Sequence, residues 1–124
     1  MTGQAGKKLR LTRRDDIKRV FEQGCRASDR RLMLVGVRGD SGSGSPARLG
    51  VGVSVKHGNA VTRNRIKRLC REAFRLIRDE MPGGWDLMMV PRAGAELTVA
   101  GLQESLRSLA GQVAGPDGRQ GGGR

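Results

Sequence analysis

The segment 58–78 most constrains how this chain can fold, because its apolar and basic side chains separate onto two faces of one predicted helix. At about 100° per residue, the apolar side chains fall within one arc of the helical wheel. These side chains are Ile66, Leu69, Cys70, Ala73, Phe74, Leu76 and Ile77. A second arc, which does not overlap the first, carries Asn64, Lys67, Arg68, Arg71, Arg75 and Arg78. The helix can therefore pack one face on a sheet and present five basic residues and one amide to solvent.

The basic face of this helix is crowded with like charges. Lys67 and Arg71, and likewise Arg71 and Arg75, lie four residues apart, a spacing at which like charges destabilise an isolated helix. The whole chain has the same imbalance, with 24 Lys and Arg, 12 Asp and Glu and a formal net charge of +12 in 124 residues. Nucleic acid is the usual partner that neutralises such an excess. We therefore favour a nucleic-acid interface over an ordinary solvated face or a membrane-surface helix, whose apolar face would have to remain free.

The remaining hydrophobic patterns predict two more helices and three or four strands. A first helix is expected from about Arg13 to Gln23, with Thr12 as its N-cap and Gly24 at its end. A last helix is expected from about Val99 to Val113, with Thr98 as its cap. The predicted strands are Leu32 to Arg38, the alternating Leu49 to Val55, Trp85 to Val90 and, as an optional fourth, Cys25 to Ser28. Glycines leave one face of the alternating strand nearly bare, so that a helix or a ligand can approach its backbone.

Length and composition predict one domain with loose ends. We expect a flexible basic N-terminus at 1–10, a folded domain at 11–114, a flexible loop at 39–47 and a disordered glycine-rich tail at 115–124. No apolar run approaches the roughly 18 residues that a membrane helix needs, and the first residues lack the apolar core of a secretory signal. The two cysteines do not make a disulfide framework. These features together predict a cytoplasmic protein.

The basic segment also matches a family signature. The pattern Lys56-x-Gly58-Asn59-Ala60-Val61-x-Arg63-Asn64-Arg65-x-Lys67-Arg68-x-x-Arg71-Glu72-x-Phe74-Arg75 resembles that of the bacterial ribonuclease P protein subunit. The order of the predicted elements agrees, and the resemblance covers about residues 8–114. It implies an α+β sandwich in which a small mixed sheet of three to four strands packs with about three helices. The implied order is α-β-β(-β)-α-β-α, with a left-handed βαβ crossover that physical rules alone would not predict.

The resemblance implies the small subunit of a ribonucleoprotein endoribonuclease. In that family an RNA subunit hydrolyses precursor tRNA at the 5′ leader with Mg²⁺, and the protein binds the leader and supports the RNA. The Mg²⁺ is then held mainly by the RNA, and the free protein is expected to be a monomer in the cytoplasm. The residues implied to contact the RNA subunit are Lys56, Arg63, Asn64, Arg65, Lys67, Arg68, Arg71 and Arg75.

The resemblance also implies a cleft between the first helix and the sheet that holds the single-stranded leader. Its implied residues here are Phe21, Ile17, Val35, Arg13, Arg14 and Arg10. Ile17 and Val35 stand where the family often has aromatic residues, so apolar contact and phosphate pairing are expected to replace part of the base stacking. Both residues could equally be ordinary core.

The sequence predicts no catalytic residues and no metal site on the polypeptide. The carboxylates are scattered along the chain, whereas a metal nuclease needs them clustered. His57, the only histidine, has no partner at ligand spacing and is predicted to lie in an exposed loop, and Cys70 is predicted to be buried. Two alternatives stay open at this point. One is a non-catalytic, ribosomal-protein-like RNA-binding module, and the other, disfavoured, is a self-sufficient nuclease.

Overall fold

The computed structural model describes residues 10–39 and 45–114, and its helices and strands follow the order α-β-β-β-α-β-α. The helices are α1 (Arg14–Gln23), α2 (Ala60–Ile77) and α3 (Val99–Ala114). The strands are β1 (Cys25–Ser28), β2 (Leu32–Arg38), β3 (Arg48–Val51) and β4 (Trp85–Pro91). The predicted α+β class is therefore confirmed. The expectations for 1–9, for 40–44 within the predicted loop, and for the tail 115–124 fall outside the described residues.

The four strands form one mixed sheet in the order β1-β2-β4-β3. β1 and β2 form an antiparallel hairpin, and β2 pairs with β4 antiparallel, so that Val35 lies opposite Met88. β3 pairs with β4 in parallel, and Gly50 lies beside the same Met88. A parallel pair needs a long crossover connection, which α2 provides between β3 and β4. The left hand of this crossover stays a prediction.

Side-chain alternation along the strands creates two cores, one on each face of the sheet. The larger core lies under α2 and α3 and includes Leu32, Leu34, Leu49, Leu87, Met89, Cys70, Phe74, Leu102, Leu106 and Leu109. The smaller core lies under α1 and consists of Leu11, Val20, Val35, Val37 and Met88, with Ile17, Phe21 and Met33 packed against it. The sheet therefore separates the basic helix α2 from the helix α1.

Three local predictions are wrong. The N-cap of α1 is Arg13 rather than Thr12, and no side chain caps this helix end. β3 ends at Val51 instead of Val55, because the chain turns into a short 3₁₀ helix at Val55–His57 and leaves Val55 78% exposed. Leu76 lies at the edge of the apolar arc of α2 and is 53% exposed. The cap of α3 is confirmed, because the Thr98 hydroxyl accepts from a backbone N–H of the first turn at 3.0 Å.

Candidate nucleic-acid interface

A Gly-Asn turn fixes where the basic helix α2 begins. The Asn59 side chain is its N-cap and accepts from the Thr62 N–H at 3.0 Å. Gly58 has φ of 126°, a conformation that residues with a Cβ rarely adopt. The turn and the cap set the rotation of α2, and therefore set which of its side chains point away from the core.

His57 holds the turn before α2 against the sheet. Its Nδ1 accepts from the Ser54 N–H at 3.0 Å, which leaves the proton on Nε2, 2.6 Å from the Pro91 carbonyl oxygen. Pro91 is the last residue of β4, so this side chain ties the end of a central strand to the start of α2. The prediction of an exposed loop residue is wrong, because His57 is half-buried and both of its ring nitrogens have partners.

The outer face of α2 forms one wall of a groove of about 410 Å³, which we call the basic groove. Five of its seven lining residues are basic, and the full set is Arg10, Asn64, Lys67, Arg68, Arg71, Glu72 and Arg75. Five of the residues predicted to contact the RNA subunit thus meet on one surface. Arg10, predicted to lie in the leader cleft, lies here instead, because its backbone pairs with Leu49 at the β3 edge of the sheet.

Electrostatic repulsion is concentrated in the basic groove. Burial and the nearby charge of Arg10 lower the pKa of Arg71. Glu72 is the groove's one carboxylate, and its oxygens accept from Arg75 at 2.9 and 3.2 Å, so it neutralises the cation at one end. Within the described residues, neither Arg68 nor Arg71 forms an ion pair with a carboxylate. An anionic partner would relieve this repulsion.

Three of the residues predicted to contact the RNA subunit lie near the groove but do not line it. Lys56 is exposed in the turn before α2, and Arg65 is exposed near the start of α2. Arg63 is half-buried, and its Nε is the one buried side-chain nitrogen or oxygen of the described chain that has no hydrogen-bond partner. Lys56 and Arg65 therefore add exposed positive charge at the N-terminal end of α2.

A second surface lies where α1 crosses the opposite face of the sheet, and we call it the α1 cleft. Phe21 and Ile17 are half-buried along one side of α1, and both pack against the smaller core. Arg13 and Arg14 are exposed at the start of this helix. Val35 is fully buried with 0% exposure, so it belongs to the core behind the cleft and presents no surface to a ligand.

Sequence reasoning missed Arg26, which also lies at the α1 cleft. Its guanidinium carbon is 5.8 Å from the centre of the Phe21 ring, within the range of a cation–π contact. One of its N–H groups donates to the Phe21 carbonyl oxygen at 2.9 Å. The alternation along the short strand β1 was the available signal, but it does not reveal which helix covers that face.

A buried carboxylate joins α1 to the sheet, and this too escaped the sequence analysis. Asp86 is 2% exposed and accepts from Arg19 on α1 at 2.8 Å and from Arg48 on β3 at 2.8 and 2.9 Å. Arg48 also approaches Asp16 of α1 at 3.5 Å, and the hydrogen bonds to Asp86 raise the pKa of Arg48. An acid inside the apolar run of β4 was the signal that a buried ion pair would be found there.

The described residues form neither a metal centre nor a reactive thiol at Cys70. No three His, Cys, Asp or Glu side chains in this part of the chain are grouped so that they could hold a metal ion. Cys70 is buried, and burial raises the pKa of its thiol to about 12, which leaves almost no thiolate at neutral pH. No described helix is long and apolar enough to cross a membrane.

Comparison with known proteins shows which family this chain resembles. The sequence model of the family described as Ribonuclease P matches residues 6–114. The ribonuclease P protein component of Brevibacillus brevis is 36% identical over 98 residues, which are 78% of this chain and 76% of the relative. That of Oleidesulfovibrio alaskensis is 43% identical over 83 residues, which are 67% of this chain and 66% of the relative.

Solved structures share the fold. The RNase P protein from Thermotoga maritima superposes with a TM-score of 0.73 at 27% identity and covers 84% of this chain and 96% of its own. A Staphylococcus aureus RNase P protein mutant with defective mRNA degradation activity gives a TM-score of 0.75 at 28% identity, covering 87% of this chain and 90% of that one.

Proposed function

This chain belongs to the family of bacterial ribonuclease P protein components, and from that premise we propose how its two surfaces divide the binding of RNA. Ribonuclease P is the endoribonuclease of tRNA 5′ maturation, and its protein component, a partner of the ribonuclease P RNA, assists the processing of the precursor-tRNA leader. The proposal assigns the basic groove to the RNA subunit and the α1 cleft to the leader.

The basic groove is the observation that carries the first assignment. Arg10, Lys67, Arg68 and Arg71 concentrate positive charge in one concave surface, and no carboxylate of the described chain pairs with any of these four. Guanidinium groups bind phosphate oxygens in a bidentate manner, so a folded RNA backbone suits this surface. Lys56, Arg63, Asn64, Arg65 and Arg75 complete the proposed contact set.

The first test is the salt dependence of binding to ribonuclease P RNA. Binding releases counterions in proportion to the number of phosphate contacts, so a variant that lacks one contact releases fewer. Arg68→Ala should therefore weaken binding and lower the slope of log affinity against log salt concentration by about 0.7–0.9. The matched control is Arg107→Ala, which removes an exposed arginine of α3 that is bonded to Glu80 outside the groove. An unchanged slope for Arg68→Ala would remove this residue from the interface.

The α1 cleft is proposed to hold the single-stranded 5′ leader of precursor tRNA. Ile17 and Phe21 offer half-buried apolar surface, and Arg13 and Arg14 offer charge at the start of the same helix. With only one aromatic ring on α1, we propose that aliphatic contact and phosphate pairing provide much of the leader affinity. Val35 supports this surface from the core and leaves the proposed contact set.

The cleft assignment is tested with Phe21→Leu, which keeps an apolar side chain and removes the ring. Loss of a stacked base should weaken the binding of precursor tRNA and leave the binding of mature tRNA unchanged, because only the precursor carries a leader. Unfolding of each variant is followed alongside, since Phe21 also packs on the smaller core. Equal losses for precursor and mature tRNA would assign Phe21 to the core alone.

Catalysis is proposed to rest with the RNA partner and its Mg²⁺. The described side chains do not group into a carboxylate site that suits Mg²⁺, and the proposal places the metal on the RNA. The test is reconstitution of purified protein with a bacterial ribonuclease P RNA, with cleavage of precursor tRNA measured at low and high Mg²⁺. Stimulation at low Mg²⁺ is expected. Absence of stimulation would favour a ribosomal-protein-like module, and cleavage by protein alone would favour a self-sufficient nuclease.

The same proposal includes the remaining expectations from the sequence. We propose that the protein is a monomer when free, that it acts in the cytoplasm and that residues 11–114 are the RNA-binding domain. Light scattering of the free protein and limited proteolysis test the first and last of these.

A further inference from the structure

The α1 cleft has two ends, which lie at opposite edges of the sheet. At one end, the chain leading into α1 pairs with β3, where the Leu11 N–H donates to the Leu49 carbonyl oxygen at 2.8 Å. At the other end, α1 stops at Gly24 and the chain enters β1 directly. Since β3 and β1 are the two edges of the sheet, α1 crosses its whole width, about 14 Å for three strand spacings.

Arg26 is a cation at the β1 end of this crossing. It pairs in register with Val35, and cross-strand partners project from the same face of a sheet. Val35 belongs to the smaller core under α1, so Arg26 projects on the side of α1. The residue is exposed, and within the described residues it forms no ion pair.

The Arg26 guanidinium is held in place without losing its charge. One N–H donates to the Phe21 carbonyl oxygen at 2.9 Å, and another lies 3.9 Å from the Met33 sulfur. Both contacts are to neutral groups, and a guanidinium has five N–H donors, so several remain for an anion. The side chain is thus pre-oriented beside the Phe21 ring, which lowers the entropic cost of binding a ligand there.

We propose that Arg26 binds a backbone phosphate of the precursor-tRNA leader at the β1 end of the α1 cleft, opposite the end where Arg13 and Arg14 lie. This inference rests on the proposed leader site and adds a length dependence to it. Arg10 pairs with β3 and lines the basic groove, so the β3 end of the cleft lies beside the surface proposed for the RNA subunit, and the leader enters there. A short leader then does not reach Arg26, whereas a longer one that follows α1 across the sheet does.

The alternative is that Arg26 only caps the last turn of α1 through its bond to Phe21. Two substitutions separate charge from this hydrogen bond. Arg26→Gln retains an amide donor for the carbonyl oxygen but has no charge, and Arg26→Lys retains the charge. The control is Arg107→Gln, which neutralises an exposed arginine on α3, away from the cleft.

The experiment measures affinities of the reconstituted holoenzyme for precursor tRNAs with leaders of increasing length, together with mature tRNA. Arg26→Gln should lower the affinity only for precursor tRNAs with the longer leaders, by roughly two- to fivefold. Arg26→Lys should keep most of the wild-type affinity. The salt slope for the longer leaders should fall by about 0.7 with Arg26→Gln.

Three outcomes would overturn the inference. Equal weakening of short-leader, long-leader and mature tRNA would assign Arg26 to the cap of α1. Full affinity of Arg26→Gln for every leader, while Phe21→Leu loses leader affinity, would remove Arg26 and keep the leader site. If the wild-type affinity itself does not depend on leader length, the proposed leader site fails, and the inference fails with it.

Discussion

Replacing Asp86 with asparagine tests the buried connection between α1 and the sheet. The Asp86 carboxylate accepts three hydrogen bonds of 2.8–2.9 Å, one from Arg19 on α1 and two from Arg48 on β3. Asparagine has nearly the same shape but no charge and one acceptor oxygen, and its NH₂ group would face guanidinium donors. The variant should therefore leave Arg19 without a carboxylate partner among the described residues and Arg48 with only its longer contact to Asp16, at 3.5 Å.

The structure sets the size of the expected loss. Breaking a fully buried ion pair costs about 3–5 kcal/mol, because the remaining charge stays buried and unpaired. The side chains of Arg19 and Arg48 are 24% and 30% exposed, so water can solvate them in part. We therefore expect Asp86→Asn to lower the free energy of unfolding by about 2–3 kcal/mol and to lower Tm by roughly 10–20 °C.

The assay is thermal and urea unfolding followed by circular dichroism at neutral pH. The matched control is Glu80→Gln, because Glu80 also accepts two hydrogen bonds from one arginine, Arg107, but lies at the surface, where no measurable loss is expected. Because Asp86 also holds α1 in place, its variant should weaken leader binding more than binding to the RNA subunit. Equal stability losses for the two variants, or none for Asp86→Asn, would refute the reasoning.

Three further predictions concern thiol chemistry, pH and backbone packing. In the native protein, Cys70 should react far more slowly with a thiol reagent than the half-buried Cys25, and both should react after unfolding; mass spectrometry of the labelled peptides decides this. Burial acts to raise the pKa of Asp29, but hydrogen bonds from a serine hydroxyl and two backbone N–H groups outweigh it and lower the pKa. The stability it contributes is present at neutral pH and lost as pH falls through this lowered pKa, so Asp29→Asn should show a smaller drop in Tm below about pH 4 than wild type. Gly24→Ala should destabilise the fold because its Cβ would press on two backbone carbonyl oxygens, whereas Gly111→Ala, with nothing within 4 Å, should stabilise it by about 0.5–1 kcal/mol in urea unfolding.

The basic helix was predictable from the sequence because its information is local. The helical period separates its faces, and Cys70 and Phe74 are buried as the wheel requires. The helical wheel wrongly places Leu76 on the buried face, because the sequence of one helix does not show how far the surface packed against it extends. Alternation likewise could not show that the chain leaves the sheet after Val51.

The α1 cleft was less predictable because its contacts join distant parts of the chain. Asp86 is 67 residues from Arg19 and 38 from Arg48, and no periodic pattern encodes such a meeting. Arg10 and Arg26 were misplaced or missed for the same reason, since each is positioned by pairing with another strand. The register of a sheet must be known before residues on its opposite edges can be assigned to a surface.

The distribution of acids explains why the excess positive charge is concentrated along α2. Asp16, Glu22, Glu80, Asp86 and Glu104 form their ion pairs with basic residues outside α2. On α2, Glu72 is the only acid, and it pairs with Arg75 at the far end of the groove. The cations between Asn64 and Arg71 therefore repel one another, and Arg10 adds to this repulsion, since its charge is, after burial, the second cause that lowers the pKa of Arg71. The larger core offsets that repulsion in the free protein, so an RNA subunit bound in the basic groove, as proposed, would gain affinity from the same unbalanced charge that destabilises the protein alone.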